Sequence, residues 1–296
     1  MARSLNGQII SVDSMKVYQR MDIGTAKPPA DKRKQIPYHL IDVVQPHESF
    51  SVDRFLVLAN RAIAQIVSSG RPVIAVGGTA MYIKALLYGL FDGPGTDPTV
   101  RERLREQIAC SGLSALHQRL AKIDPQAAQR IHPNDEKRII RAIEVHELTG
   151  RPISQFQRQW DRSEPKGWTV IGIRRPKEHE SRRINQRVKR MIDQGFVEEV
   201  RSLLNEPKPM SRQARAAIGY AEMIDHLENK TTLDEAIEVI KINTRRLAKA
   251  QRTWFKTFAH IRWIDMDPDQ SAQTLLQQTL SLLKDSRPSS QGCGPE

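Results

Sequence analysis

A five-residue run with no polar side chain, Pro72 to Val76 (PVIAV), limits the architecture more than any other stretch of the chain. A strand covered on one face alternates apolar and polar residues. One with no alternation is covered on both faces, as in a parallel sheet between helical layers. Ile9 and Ile10 open a second short apolar run, and His39 to Val44 (HLIDVV) reads as a third strand. Between them Ser51 caps a helix whose Phe55, Leu56, Ala59, Ile63, Ile66 and Val67 keep helical spacing up to a stop at Gly70. Gly77-Gly78-Thr79 follows the apolar run and leads into a helix from Ala80 to Tyr88. Strand and helix in alternation predict a doubly wound α/β fold, with a parallel sheet carrying helices on both faces.

The Gly- and Pro-rich stretch Phe91 to Pro98 interrupts this pattern, and helical spacing alone continues beyond it. Helices are expected over Arg101 to Ala109, Leu113 to Lys122 and Asn134 to Leu148. Trp168 to Ile173 (WTVIGI) then restores a strand, and Ile261 to Asp265 reads as an edge strand. The expected division is an α/β core over 1–93 and 165–285, an all-helical insertion over 94–164 and a disordered tail over 286–296. At the start, Ala2 to Leu5 reads as a last helical turn stopped at Asn6-Gly7.

The charge is +12, from 46 Lys and Arg against 34 Asp and Glu, which points to a polyanionic partner. Two cysteines, Cys110 and Cys293, cannot form a disulfide framework or a four-ligand zinc site. No apolar run reaches membrane-spanning length and no secretory leader is read at the start, so a cytoplasmic protein without membrane contact is expected.

Candidate chemistry collects after the first strand, in VDSMKVYQRMDIGTAKP. Asp13, Ser14 and Lys16 lie at the carboxyl end of that strand, where open α/β sheets bind ligands. An ordinary polar loop is an equal reading of the residues alone, and Gly77-Gly78-Thr79 is likewise either a ligand approach or a tight turn. Two helices carry basic rows. Arg183, Arg187 and Arg190 recur on one side of the first, within eight basic residues between Arg174 and Arg190. Lys241, Arg245, Lys249, Arg252 and Lys256 line the last long helix at spacings of four, four, three and four. That helix opens with a capping box, Thr232 and Glu235, and buries Ile240, Leu247 and Trp254 in this reading. Rows of this kind suit a phosphate backbone or are solvated faces.

Together with GGTAMYIKALLYGL, RIHPNDEKRIIRAIEV, RINQRVKRMIDQGFVEEV, AAIGY and LAKAQRTWFK, the opening motif resembles the tRNA dimethylallyltransferase (tRNA isopentenyltransferase) family, in that family's order from Gln8 to Asp265. The resemblance implies a fold like P-loop nucleoside kinases with a helical insertion. It implies transfer of a dimethylallyl group from its diphosphate to N6 of adenosine 37 in tRNA, with Mg2+, by a monomer binding the anticodon stem-loop. Asp13 then matches the catalytic base and Arg187 the diphosphate contact. Contacts with tRNA carry over to Asp13, Ser14, Met15 and Lys16; to Thr79 and Arg101; and to Lys137, Arg138, Ile139, Ile140 and Arg141. They carry over also to Ala216, Ala217, Ile218, Gly219, Tyr220 and Ala221. A last set is Lys249, Ala250, Gln251, Arg252, Thr253, Trp254, Phe255 and Lys256.

The sequence departs from the family's pattern in two places. Ala250 stands where the family usually has Arg. The chain also has no GxxxxGK[ST] loop, whereas the family carries a first strand and a GPTASGK[ST]-like loop about twenty residues before the DSM motif. The expectation is a central sheet with a gap beside Asp13, a loosely folded chain as written, and no turnover without an added strand and loop. Two other readings stay open: a tRNA-binding remnant that has lost its diphosphate site, and an isopentenyltransferase of free adenylate.

Overall fold

The computed structural model describes residues 1–90, 93–156, 165, 167–258 and 260–284. The chain forms two compact units, Met1–Leu87 with Gly167–Glu296, and Tyr88–Lys166.

In the first unit α1 (Ala2–Leu5) ends on Asn6 in the left-handed region, φ 51°. The adjacent Gly7 serves closeness instead, since a Cβ there would lie 2.8 Å from the Pro72 carbonyl oxygen. Strand β1 (Gln8–Val12) follows, then α2 (Ala30–Gln35), β2 (Tyr38–His39), α3 (Val52–Ser68), β3 (Val73–Gly77) and α4 (Ala80–Tyr88). The three strands run parallel in the order β2-β1-β3, so the α/β reading holds. Strand β2 is shorter than HLIDVV suggested, because Leu40 and Asp42 turn the backbone to φ 63° and 57°. Ser51 caps α3 as expected, accepting from the Arg54 amide at 3.2 Å. Ile10 and Val12 are fully buried, and Phe55 stacks on Tyr82 with ring centroids 4.5 Å apart. Each side chain of this size removed from water contributes about 1.5–3 kcal/mol.

The apolar β3 is less covered than its composition suggests: Val76 keeps 54% of its surface. Burial on both faces requires neighbours on both, and β3 lies at the end of its ladder among the described residues.

The helical unit contains α5 (Pro98–Ile123), α6 (Pro125–Arg130), α7 (Glu136–Thr149) and α8 (Ile153–Phe156). The two helices expected before Lys122 form one run broken at Gly112, whose φ of 81° suits glycine. Leu104, Leu120, Ile139 and Ile143 make its core, and Asp124, 2% exposed, caps α6 and also accepts from the Ser154 amide at 2.9 Å.

The chain then returns to the first unit with β4 (Ile171–Arg174), α9 (Lys177–Asp193), α10 (Phe196–Leu204), α11 (Arg212–Arg215), α12 (Tyr220–Leu227), α13 (Leu233–Phe255), β5 (Arg262–Asp265) and α14 (Ala272–Lys284). Strands β4 and β5 form a separate parallel ladder pairing Ile171 with Arg262. The capping box of α13 is present, with Thr232 and Glu235 exchanging bonds of 2.8 and 3.3 Å. Ile240 is 3% exposed, but Leu247, expected inside, keeps 46%. Helix α13 packs on both α12 and α9, and Leu247 lies on a side that they do not cover fully. Helix α14 was not foreseen. Residues 286–296, read as a disordered tail, lie outside the described residues.

Candidate functional site

Asp13 stands one residue past β1, and its carboxylate serves its own turn first. Oδ1 accepts from the backbone N–H groups of Met15 at 2.9 Å and Lys16 at 3.2 Å. Oδ2 faces the Lys16 ammonium at 4.0 Å, with 30% of the Asp13 side chain open to solvent. Thr79 closes the corner from the end of β3, since the Ser14 amide donates to its hydroxyl at 3.1 Å and that hydroxyl lies 3.4 Å from Ser14 Oγ. Gly77 permits this approach: a Cβ there would sit 1.9 Å from the Val12 carbonyl oxygen. From α13, Gln251 donates to the Gly78 carbonyl at 2.9 Å, anchoring the basic helix to the same loop.

Two cations share this corner. Burial lowers the Lys16 pKa, the Asp13 charge raises it, and Arg187 lowers it further. Arg187 on α9 is likewise lowered by the crowding around its guanidinium, raised by Asp13, and lowered by Arg190 and Arg183. Among the described residues Arg183, Arg187 and Arg190 form no ion pair. Neighbouring cations repel one another, and an incoming anion relieves that repulsion and favours their charged forms. The corner therefore offers one carboxylate oxygen, two hydroxyls and two cations to a polar, anionic ligand.

The AAIGY segment divides its tasks. Ala216 is exposed, whereas Ala217 and Tyr220 are buried and Gly219 takes φ 96°, open only to glycine. The Gly219 amide donates to Glu222 at 2.7 Å, and the Tyr220 hydroxyl donates to Glu199 at 2.6 Å. Burial, followed by the Glu199 charge, pushes the Tyr220 pKa far up, so this hydroxyl stays a donor. Its ring lies edge-on to Phe196 at 5.1 Å, away from any surface.

Along α13, Lys249 and Lys256 are exposed, but Arg252 pairs with Glu180 of α9 and Arg245 bonds Asn185 at 2.9 Å. Thr253 donates to the Lys249 carbonyl at 3.1 Å, and Phe255 packs against Phe258 at 5.6 Å. Ala250 is exposed and Trp254 half-buried.

In the helical unit, Lys137 and Arg138 are exposed, while Ile139 and Ile140 lie in the core. Arg101 and Arg141 both bind Glu144, which is wholly buried; Arg101 reaches it at 2.8 and 3.0 Å and Arg141 at 2.7 Å. Arg141 also donates to the carbonyls of Pro94 and Gly95.

Three residues with structural weight escaped the sequence reading: Glu144, Glu199 and the buried Lys27, whose ammonium donates to the Tyr18 carbonyl, Asp22 and Asp42. Glu144 stands between Ile143 and Val145, so its burial could have been read from the helical pattern, whereas nothing in the local sequence marks the burial of Lys27 or the partners of Glu199. The structure thus brings Asp13 to Lys16, Thr79, Arg187 and Gln251 into one corner of the first unit.

These features define an α/β protein with a cation-rich polar corner at the end of a parallel strand and a helical unit inserted in the chain. The chain belongs to the IPP transferase family, whose model matches residues 16–258. A tRNA dimethylallyltransferase of Geobacter metallireducens is 47% identical over 266 residues, which is 90% of this chain and 86% of that protein. One from Pelotomaculum thermopropionicum is 43% identical over 94% of this chain and 88% of its own length. Among solved structures, the tRNA isopentenylpyrophosphate transferase of Bacillus halodurans aligns with a TM-score of 0.70 and 38% identity, covering 96% of this chain and 89% of that one. A eukaryotic dimethylallyltransferase described as acting on tRNA aligns with a TM-score of 0.79 and 27% identity, over 99% of this chain and 77% of that one.

Proposed function

We propose that this chain transfers a dimethylallyl group from dimethylallyl diphosphate to N6 of adenosine 37 in the anticodon loop of tRNA. The observation that carries the reading is Asp13 facing Lys16 at 4.0 Å with the Arg187 charge close enough to act on both, in a member of the IPP transferase family. The reaction forms a bond between N6 and the allylic carbon and breaks the bond from that carbon to the diphosphate oxygen. The N6 proton passes to Asp13 Oδ2, the oxygen its own turn leaves free, while Oδ1 remains held by two amides. Arg187 and Lys16 take up the charge that develops on the departing diphosphate. The adenine leaves its stack to reach Asp13, as bases do in other base-modifying enzymes.

Among the described residues no group of three His, Cys, Asp or Glu side chains forms a metal cage. The hydroxyls of Ser14 and Thr79, beside Asp13, would fit a magnesium ion held mainly by substrate phosphates. The ion neutralises diphosphate charge when bound. A monomer in the cytoplasm completes the proposal.

The test is single-turnover transfer to an anticodon stem-loop, run on this chain and on the same chain extended by a family-like strand and GPTASGK-type loop before Ala2. Product at N6 from either supports the reading. Tight tRNA binding with no product from both would favour the RNA-binding remnant.

The basic row of α13 makes a narrower claim. Lys249 and Lys256 are free for phosphates, whereas Arg252 must first leave Glu180. Replacing both lysines with alanine is expected to flatten the salt dependence of tRNA binding by up to about one unit per lost contact, with Arg252→Ala changing it less. A slope unaltered by the double substitution would make the row a solvated face.

A further inference from the structure

The Glu199 carboxylate on α10 receives four donors from two distant parts of the chain. Oε2 accepts from the backbone N–H groups of Asp22 at 2.9 Å and Ile23 at 2.7 Å. Oε1 accepts from the Gly24 amide at 3.2 Å and the Tyr220 hydroxyl at 2.6 Å. Gly24 is pressed onto the same aromatic pair, for a Cβ there would lie 2.3 Å from Phe196 and 2.5 Å from Tyr220.

The loop so held is continuous with Asp13. Within it the Lys27 ammonium donates to the Tyr18 carbonyl at 2.5 Å, the Val17 carbonyl accepts from Val43 and Val44, and the Lys16 carbonyl accepts from Asp42. Its near end is the Asp13 turn, and its far end is the Glu199 carboxylate. Helix α10 follows α9, which carries Arg187, with a two-residue link, and packs against it. Tyr220 opens α12 directly after Gly219. One side chain therefore joins the elements that carry the base, the diphosphate cation and the AAIGY segment.

We propose that Glu199 is a positioning residue that holds the Asp13–Lys27 loop in register with α9 and α12, and through that loop sets where Asp13 stands relative to Arg187. The role rests on the proposed prenyl transfer, in which base and leaving-group cation act across one reacting carbon and tolerate little misplacement. A carboxylate is required because all four partners are donors. An amide at this position presents N–H groups to at least one of them.

Hydrogen exchange on the full chain tests the clamp without any need for turnover. In Glu199→Gln the Asp22, Ile23 and Gly24 amides are expected to exchange about tenfold faster or more, and the Met15 and Lys16 amides, which only Asp13 holds, to quicken with them. Tyr220→Phe leaves three of the four bonds and is expected to change these rates less than about threefold. Single-turnover transfer is expected to fall about tenfold in Glu199→Gln with tRNA affinity nearly kept. The idea is overturned if Glu199→Gln lowers the melting temperature yet leaves Met15 and Lys16 exchange unaltered, or quickens exchange while transfer stays at the wild-type rate. Absent transfer by the unsubstituted chain counts against the proposed reaction, and the exchange rates still decide the clamp.

Discussion

Asp13→Asn is expected to slow single-turnover prenyl transfer by about 10²-fold or more, the usual contribution of a positioned general base. Asparagine is the informative replacement because the carboxylate has two tasks. Its side-chain oxygen can still accept from the Met15 and Lys16 amides, now held at 2.9 and 3.2 Å, so the turn survives. Its amide cannot take a proton from N6. Affinity for the tRNA stem-loop is expected to stay within about threefold, and the melting temperature to move little. Asp13→Ala loses both tasks and is expected to be slower still and less stable. Near-normal turnover by Asp13→Asn would remove Asp13 from proton transfer and leave it as a turn-former only.

Glu144→Gln is expected to destabilise the chain by about 3 kcal/mol, the lower end of what removing one partner from a buried ion network costs. Glu144 is wholly buried and accepts from the Asp97 amide at 2.8 Å as well as from Arg101 and Arg141. The lower end applies because the two arginine side chains keep 31% and 24% of their surface in water. Burial alone raises the Glu144 pKa, but the bonds from Arg101 and Arg141 and from the Asp97 amide outweigh it, and the net shift is downward from 4.5. The sign follows. A carboxylate with a lowered folded pKa stabilises the fold above its unfolded value, and that contribution is lost as pH falls through the folded pKa. Urea unfolding at pH about 7 is expected to separate wild type from Glu144→Gln clearly, with the gap closing well below pH 4.5. A gap that is absent at neutral pH would show that the network contributes nothing net. The same geometry bears on Arg101 and Arg141, which the family resemblance offers as tRNA contacts. Both are already engaged inside the chain, so substituting either is expected to lower stability before it lowers RNA affinity.

Much of the fold was legible in local sequence because its causes are local. Ser51 and Thr232 cap α3 and α13 through bonds that close within three residues, and Gly112 and Gly150 mark φ values of 81° and 69° that a side chain resists. The alternation of strands and helices announced a parallel sheet, and the motif after β1 marked the corner proposed as the site. Asp13, Lys16 and Arg187 were all named from their motifs, although only folding brings α9 to the end of β1.

Burial and partnership were decided by the tertiary structure. Val76 and Leu247 are apolar by composition and exposed by position, one on the last strand of a ladder and the other on a helix side that no neighbour covers fully. Glu199 has a partner 177 residues away, and Glu144 and Lys27 add to their near partners Arg141 and Asp22 others at 47 and 15 residues, which no spacing rule reaches. Tyr220, Arg252 and Arg101 carry a motif's identity, yet their side chains are occupied by Glu199, Glu180 and Glu144. Sequence determines which chemical groups a segment can offer. Which of those groups remain free for a ligand depends on the partners that arrive from elsewhere in the chain, because a donor already satisfied inside the fold has little left to gain from binding.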